Sequence, residues 1–238
     1  MHEYYRNNIL KLKKENEGYL RFVKAELEQN AGKPYSEVWE EIWGFYEKNL
    51  LEHFPYIGGD KVSGTKNLTG AYIFVAMGEV LKRYGVSVEG SARLMVLAYE
   101  RKHQAIPRPA RAVMRKIFSS PRLVTKMYRK KDRENTENAA KYPGSFETKT
   151  MQPPAEGCVF TYRTLVCPLS DFAKKYGYEE YMPYLCNLDY VMFGVLGVPL
   201  YRRHTCFANG DYCDFSLKSG VQPLPYWPPV FTQGKGYQ

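Results

Sequence analysis

The first 157 residues contain no cysteine. All five thiols, Cys158, Cys167, Cys186, Cys206 and Cys213, fall in the last third of the 238-residue chain. An odd and clustered set does not make a disulfide framework, so in a reducing compartment these groups are thiols available for packing, metal binding or nucleophilic chemistry. A secretory leader is also missing: "MHEYYRNNILKLKKENE" has no basic segment followed by an apolar one, and export is not expected. Long apolar runs are scarce. The longest, "NLTGAYIFVAMG" at 67–78 and "YVMFGVLGVPLY" at 190–201, fall well short of the roughly 20 residues that span a bilayer. These absences point to a cytoplasmic protein with no membrane partner. Internal repeats, zinc-finger spacings and RNA-recognition signatures are lacking too. The loop "HFPYIGGDKVSGTKN" holds Gly59 and Gly64 at phosphate-loop separation, but Gly64 is followed by Thr65 and then Lys66, where the motif requires Lys and then Ser or Thr. It reads as a glycine-rich connector between helices.

Acid is nearly absent from one segment. Residues 101–133 carry twelve Lys or Arg against Asp132 alone, a net +11 that exceeds the +9 of the whole protein. The cations fall on the outer faces of two short helices. The first keeps Ala110, Val113, Met114, Ile117 and Phe118 on an apolar face, and the second opens with Ser120 as cap and Pro121 at its first position. Solvated faces, or a surface that attracts anionic substrates, are favoured over nucleic-acid binding.

What is present fits a globular chain: 44% hydrophobic and 25% charged residues, at a length that buries a substantial core. The 21 tyrosines add apolar area with a hydroxyl that needs a partner when buried. Residues 3–30 place Ile9, Leu12, Tyr19, Phe22, Val23 and Leu27 at helical steps. A second helix is expected in "GKPYSEVWEEIWGFYEKNL", and two more at about 67–84 and 87–103. "DRENTENAAKYPG" reads as a polar loop. Beyond it, "SFETKTM" (145–151) and "GCVFTYRTLVC" (157–167) form a hairpin, and helices fit 168–177 and 179–195. "VPLYRRHTCFA" and "YCDFSLK" pair around an Asn209-Gly210-Asp211 turn. The expected fold is α+β, a helical N-terminal half followed by a β-β-α-α-β-β unit with an antiparallel sheet. Its segments are 1–133, helical and packed on the sheet, 134–220, the core that holds the site, and 221–238, a proline-rich arm, together one integrated domain. A pocket is expected between the sheet and the 179–195 helix.

Cys186 and Asp189 stand three apart on that helix, hence on one face. The thiol is placed to attack an electrophilic carbon while the carboxylate binds or protonates a substrate nitrogen. A neighbouring carboxylate raises a thiol pKa, so a thiolate here needs another partner, such as His204 or a helix N-terminus. The competing reading is a buried structural cysteine beside a capping aspartate. His204 and Cys206 alternate onto one face of a strand, and Cys213 and Asp214 open its partner. Cys186, His204, Cys206 and Cys213 form the candidate set for zinc or another divalent metal, although the paired two-residue cysteine spacing is absent. No cofactor is otherwise expected. Whichever of Arg202 and Arg203 points inward is placed to clamp a substrate carboxylate. Cys158 and Cys167, nine residues apart, lie on opposite faces of a regular strand, so at most one of them reaches the same pocket.

The pattern "EGCVFTYRTLVC", "YMPYLCNLDY" and "YRRHTCFANGDYCDFSL" resembles the L-2-amino-thiazoline-4-carboxylic acid hydrolase family, whose members end in a strand with a Gly-x-x-Cys-Asp-Phe element. The most specific pieces are Cys186 with Asp189, and Gly210, Cys213, Asp214 and Phe215. The resemblance implies hydrolytic opening of a small cyclic amidine at a carbon–nitrogen bond, in the type case giving an N-carbamoyl cysteine. It makes Cys186 and Cys213 nucleophile candidates, Asp189 and Asp214 acid/base or amidine-binding candidates, and Arg202 or Arg203 the anchor of a carboxylated small-molecule substrate, with His204 beside them. A more distant similarity to vinyl-reductase-type ligand-binding domains implies the rival, a small-molecule or metal sensor. The oligomeric state is open, a homo-oligomer included.

Overall fold

The computed structural model describes residues 1–208 and 210–229. The turn residue Asn209 and the last part of the expected arm, 230–238, lie outside the described residues. Ten helices appear among them: α1 (Glu3–Asn7), α2 (Ile9–Leu20), α3 (Lys24–Ala31), α4 (Tyr35–Phe45), α5 (Ser63–Lys82), α6 (Val88–Gln104), α7 (Arg108–Ser119), α8 (Pro121–Lys141), α9 (Pro168–Tyr176) and α10 (Met182–Leu196). Four strands, β1 (Glu147–Thr150), β2 (Phe160–Val166), β3 (Leu200–Tyr201) and β4 (Cys213–Leu217), form one antiparallel sheet in the order β1-β2-β4-β3. The fold is α+β, with the helical half first and the β-β-α-α-β-β order after it. No helix of the described residues is long and apolar enough to cross a membrane.

The helix expected over 3–30 is divided. A short 3₁₀ turn at Arg21–Val23 separates α2 from α3, and the Arg101 guanidinium takes the Phe22 carbonyl at 2.7 Å, an acceptor a continuous helix would bond internally. The kink lets Leu20, Val23 and Leu27, all fully buried, face the same core. That core surrounds α5, which is apolar on all sides and buried along most of its length, as expected of a central helix.

A polar loop after residue 133 is not what forms. α8 runs on to Lys141, through "DRENTENAAK", because tertiary bonds outweigh the poor helix propensity of its Asp and Asn residues. Asp132 accepts Thr148 Oγ1 and the Thr150 N–H, both at 2.7 Å. Asn135 donates to Thr148 Oγ1 at 3.0 Å, and Asn138 to the Ile57 carbonyl at 2.9 Å. The single acid of the basic segment thus holds the sheet's edge strand, and the 133/134 boundary falls inside a helix. α7 buries no residue completely, in keeping with a solvated cationic face.

α10 joins two hydrophobic clusters. Leu185, Leu188 and Val191 pack with the helical half, while Tyr190, Phe193 and Leu196 pack with the sheet, α8 and β4. Asn187 and Gly194 on the same helix receive the extended segment before residue 230: Asn187 donates to the Tyr226 carbonyl at 2.7 Å, and a Cβ at Gly194 would lie 3.0 Å from the Tyr226 ring.

Candidate active site

A cavity of about 340 Å³ lies between one face of the sheet, α10, and the inner faces of α5, α6 and α8. It is wider than the expected pocket between sheet and helix because the helical half supplies a wall of its own. Its exposed lining residues Ser63, Lys66 and Asn67, at the start of α5, mark the mouth.

Helical spacing does what it should for Cys186 and Asp189, and both line the cavity. The pleat of β4 separates its neighbours. Cys213 and Phe215 line the cavity together with their cross-strand partners Thr164 and Tyr162, which leaves Asp214 on the opposite face. Arg202, only 1% exposed, reaches in just after β3. Its Nη1 donates to Asp189 Oδ2 at 2.9 Å and to the Cys186 carbonyl at 3.2 Å, its Nε donates to the Asp214 carbonyl at 3.0 Å, and its guanidinium lies 4.0 Å from the Phe215 ring centroid. One side chain therefore ties β4 to α10 across the end of the cavity. About a third of the Asp189 side chain is accessible, and that surface opens on the cavity.

The ionisation of these groups follows from the enclosure. Burial raises the Asp189 carboxyl above its ordinary value, opposed by Arg202 and then by Lys131. Burial also pushes the Cys186 thiol well up; Arg202 opposes it, while Cys213, Cys167 and Asp189 reinforce it. Cys167, a third lining thiol, is likewise pushed up by burial. Cys213 goes the other way. Its sulfur is lowered first by hydrogen bonding from the Cys206 thiol, then by Arg202 and by the Cys206 N–H at 3.2 Å, which together outweigh its burial. The Cys206 thiol, raised in turn, also lies 3.6 Å from the Thr164 carbonyl, but the backbone donation to Cys213 is independent of where that proton points.

The remaining candidates stand apart from the cavity. The strand expected through 204–206 ends at Tyr201, because Asp214 Oδ1 accepts the N–H groups of Arg203 and His204 at 2.8 and 2.7 Å and folds this backbone into a turn. Asp214 consequently shapes the loop, the Arg203 side chain is exposed, and the His204 ring packs on Tyr212 at 4.9 Å. Cys186, His204, Cys206 and Cys213 are not brought into one ligand set. Among the described residues no group of three or more His, Cys, Asp or Glu is placed to hold a metal ion.

Lys131 is the candidate site residue that residue patterning assigned elsewhere. It was counted among solvated cations, yet it lines the cavity next to Asp189, and burial lowers its pKa against the pull of Asp189 and Asp132. The signal was present. Val124, Tyr128, Lys131 and Asn135 recur at steps of four, three and four, and the other three are buried, so Lys131 lies on the inward stripe of α8.

A family model described as L-2-amino-thiazoline-4-carboxylic acid hydrolase matches residues 89–217, more than half of the 238-residue chain. The chain belongs to the L-2-amino-thiazoline-4-carboxylic acid hydrolase family. No curated protein and no solved structure matches it. The part matched to the hydrolase family contains Lys131, Cys186, Asp189, Arg202 and Cys213. Tyr19 and Phe74, which line the same cavity from α2 and α5, lie outside it.

Proposed function

We propose that this protein is a hydrolase that opens a small, carboxylated cyclic amidine through a cysteine nucleophile. The observation that carries the reading is the meeting of Cys213, Asp189 and Arg202 in one enclosed cavity: a thiol whose pKa is lowered by its neighbours faces a carboxylate held in place by a buried guanidinium. Asp189 accepts the paired N–H groups of the amidinium, and Arg202 fixes its orientation. The Cys213 thiolate, in preference to Cys186, attacks the amidine carbon. The tetrahedral adduct collapses by releasing the ring heteroatom, which takes a proton from the protonated Cys186 thiol. Water then attacks the enzyme-bound amidine carbon and expels the Cys213 thiolate, leaving a carbamoyl group on the product. Lys131, a cation that lines the cavity beside Asp189, is assigned to the substrate carboxylate.

Atom balance selects the bond. An N-carbamoyl product from a 2-amino-thiazoline keeps the ring nitrogen on the carbamoyl carbon, so the ring carbon–sulfur bond is the one that breaks. Carbon–nitrogen scission belongs to substrates with nitrogen as the leaving ring atom. Incubation with 2-amino-thiazoline-4-carboxylate, reading the released thiol with a chromogenic disulfide, tests the function. Wild type should release one thiol per substrate and Cys213→Ser none; a fully active Cys213→Ser enzyme would remove the assignment.

A further inference from the structure

The cavity is too large and too aromatic for a lone five-membered ring. A 2-amino-thiazoline-4-carboxylate has about nine non-hydrogen atoms, which at the density of a protein interior fill roughly 150 Å³. The cavity holds about 340 Å³. The groups assigned to the chemistry lie on α8, α10, β4 and just after β3, and Tyr19, Phe74 and Tyr99, brought together from α2, α5 and α6, line the same cavity. Their rings pack on one another: Tyr19 meets Phe74 edge-on at 5.7 Å and Tyr99 in parallel at 6.3 Å, and Phe74 meets Tyr99 edge-on at 6.4 Å. Residues without bulk keep this wall open. Gly70 and Ala71 line the cavity beside it, and a Cβ at Gly70 would come within 3.2 Å of the Tyr19 hydroxyl.

A wall of mutually packed rings rewards a flat apolar guest, because both the area removed from water and ring-on-ring geometry favour it. A small polar substrate would leave the area of these rings uncovered, whereas an aromatic group would bury it. Two of the three rings, Tyr19 and Phe74, also fall outside the part of the chain shared with the family, so this wall is a feature beyond the matched core.

We propose that the substrate is a carboxylated cyclic amidine bearing a flat aromatic substituent. Its head meets Cys213, Asp189 and Lys131, and its ring lies against Tyr19, Phe74 and Tyr99. The inference rests on the hydrolase reading for the identity of the head group, and on the cavity alone for the aromatic part.

The test uses the full chain and two compounds, 2-amino-thiazoline-4-carboxylate and its 5-phenyl derivative. Calorimetry on Cys213→Ser reads binding without turnover, and thiol release by wild type reads turnover. The phenyl compound should bind at least tenfold tighter and show at least a tenfold higher kcat/KM. Tyr19→Leu, which removes a ring, and Ala71→Leu, which fills space, should each reduce that preference at least fivefold, with thermal unfolding confirming that each variant is folded; if one is not, the other reads the same ratio. Equal or weaker binding of the phenyl compound overturns the proposal, as does a preference that survives in both folded variants. Aryl-preferring binding with no turnover of either compound keeps the aromatic ligand and removes the hydrolase reading. Turnover of the unsubstituted ring without aryl preference does the reverse.

Discussion

Along the wall formed by α10, β4 and Arg202, four titratable side chains converge on the cavity, each altered by burial or by the others. The wall formed by α2 and α5 presents rings beside glycine and alanine, with Lys66 exposed at the mouth. The first wall combines groups whose ionisation depends on close contact, so its geometry has to be held tightly. The second combines surfaces whose affinity depends on area and shape, and it tolerates change. The comparison separates the two proposals: the groups assigned to the chemistry sit on the wall built by the C-terminal unit, and the rings assigned to the aromatic substituent on the wall built by the helical half.

The largest test of that division lies in the thiols. Cys213→Ser should lower kcat/KM at least about ten-thousandfold, as loss of a nucleophile does. Cys186→Ser, which replaces the thiol with a weaker proton donor, should cost about a hundredfold, the lower end of what a general acid contributes. The reverse ranking would move the nucleophile to α10. The wild-type pH profile sharpens the same point: because the neighbours of Cys213 favour its thiolate, kcat/KM should rise with pH and level off below the usual thiol value of about 8.5. A rising limb centred at or above that value would show that no preformed thiolate is used.

Next in size is the fork that joins α10 to β4. Arg202→Met leaves the Asp189 carboxyl without its ion-pair partner, and because about a third of that side chain is accessible the loss should fall at or below the lower end of the roughly 3–5 kcal/mol that breaking a fully buried pair costs. Urea unfolding should show that loss, and a change below about 1 kcal/mol would mean the two elements do not depend on this side chain. Asp214→Ala probes the back of the same wall. Two backbone N–H groups lose a charged acceptor, for about 1.5–3 kcal/mol of stability, while the folded fraction should keep kcat/KM within tenfold. A total loss of activity at full stability would return Asp214 to the chemistry.

Much of the reactive wall was legible in the sequence because its logic is local. Three-residue spacing on a helix put Cys186 and Asp189 side by side, and the order of strands and helices between 145 and 217 formed as read. The alternation of a strand also carried information that separates Cys213 from Asp214, since neighbours on a strand face opposite ways. The path of 202–206 was not legible, because a carboxylate ten residues further along organises it in place of a sheet ladder. The aromatic wall was hidden for a stronger reason. Tyr19, Phe74 and Tyr99 sit on three helices far apart in sequence, and nothing in any one helical pattern states which faces will share a cavity.

Lys131 gives the smallest effect and the finest distinction. It is a cation of the basic segment turned inward on α8, where burial disfavours its charge and Asp189 and Asp132 support it. A substrate carboxylate would add to that support and be held by it. Lys131→Met should therefore raise KM about tenfold, or about 1.4 kcal/mol, with kcat within threefold. Because the assignment is to the carboxylate, a substrate analogue lacking that group should bind wild type and variant alike. Equal losses for both compounds would show that Lys131 supports Asp189 and the wall around it, and that the carboxylate is held elsewhere, with Lys66 at the mouth as the next cation to replace.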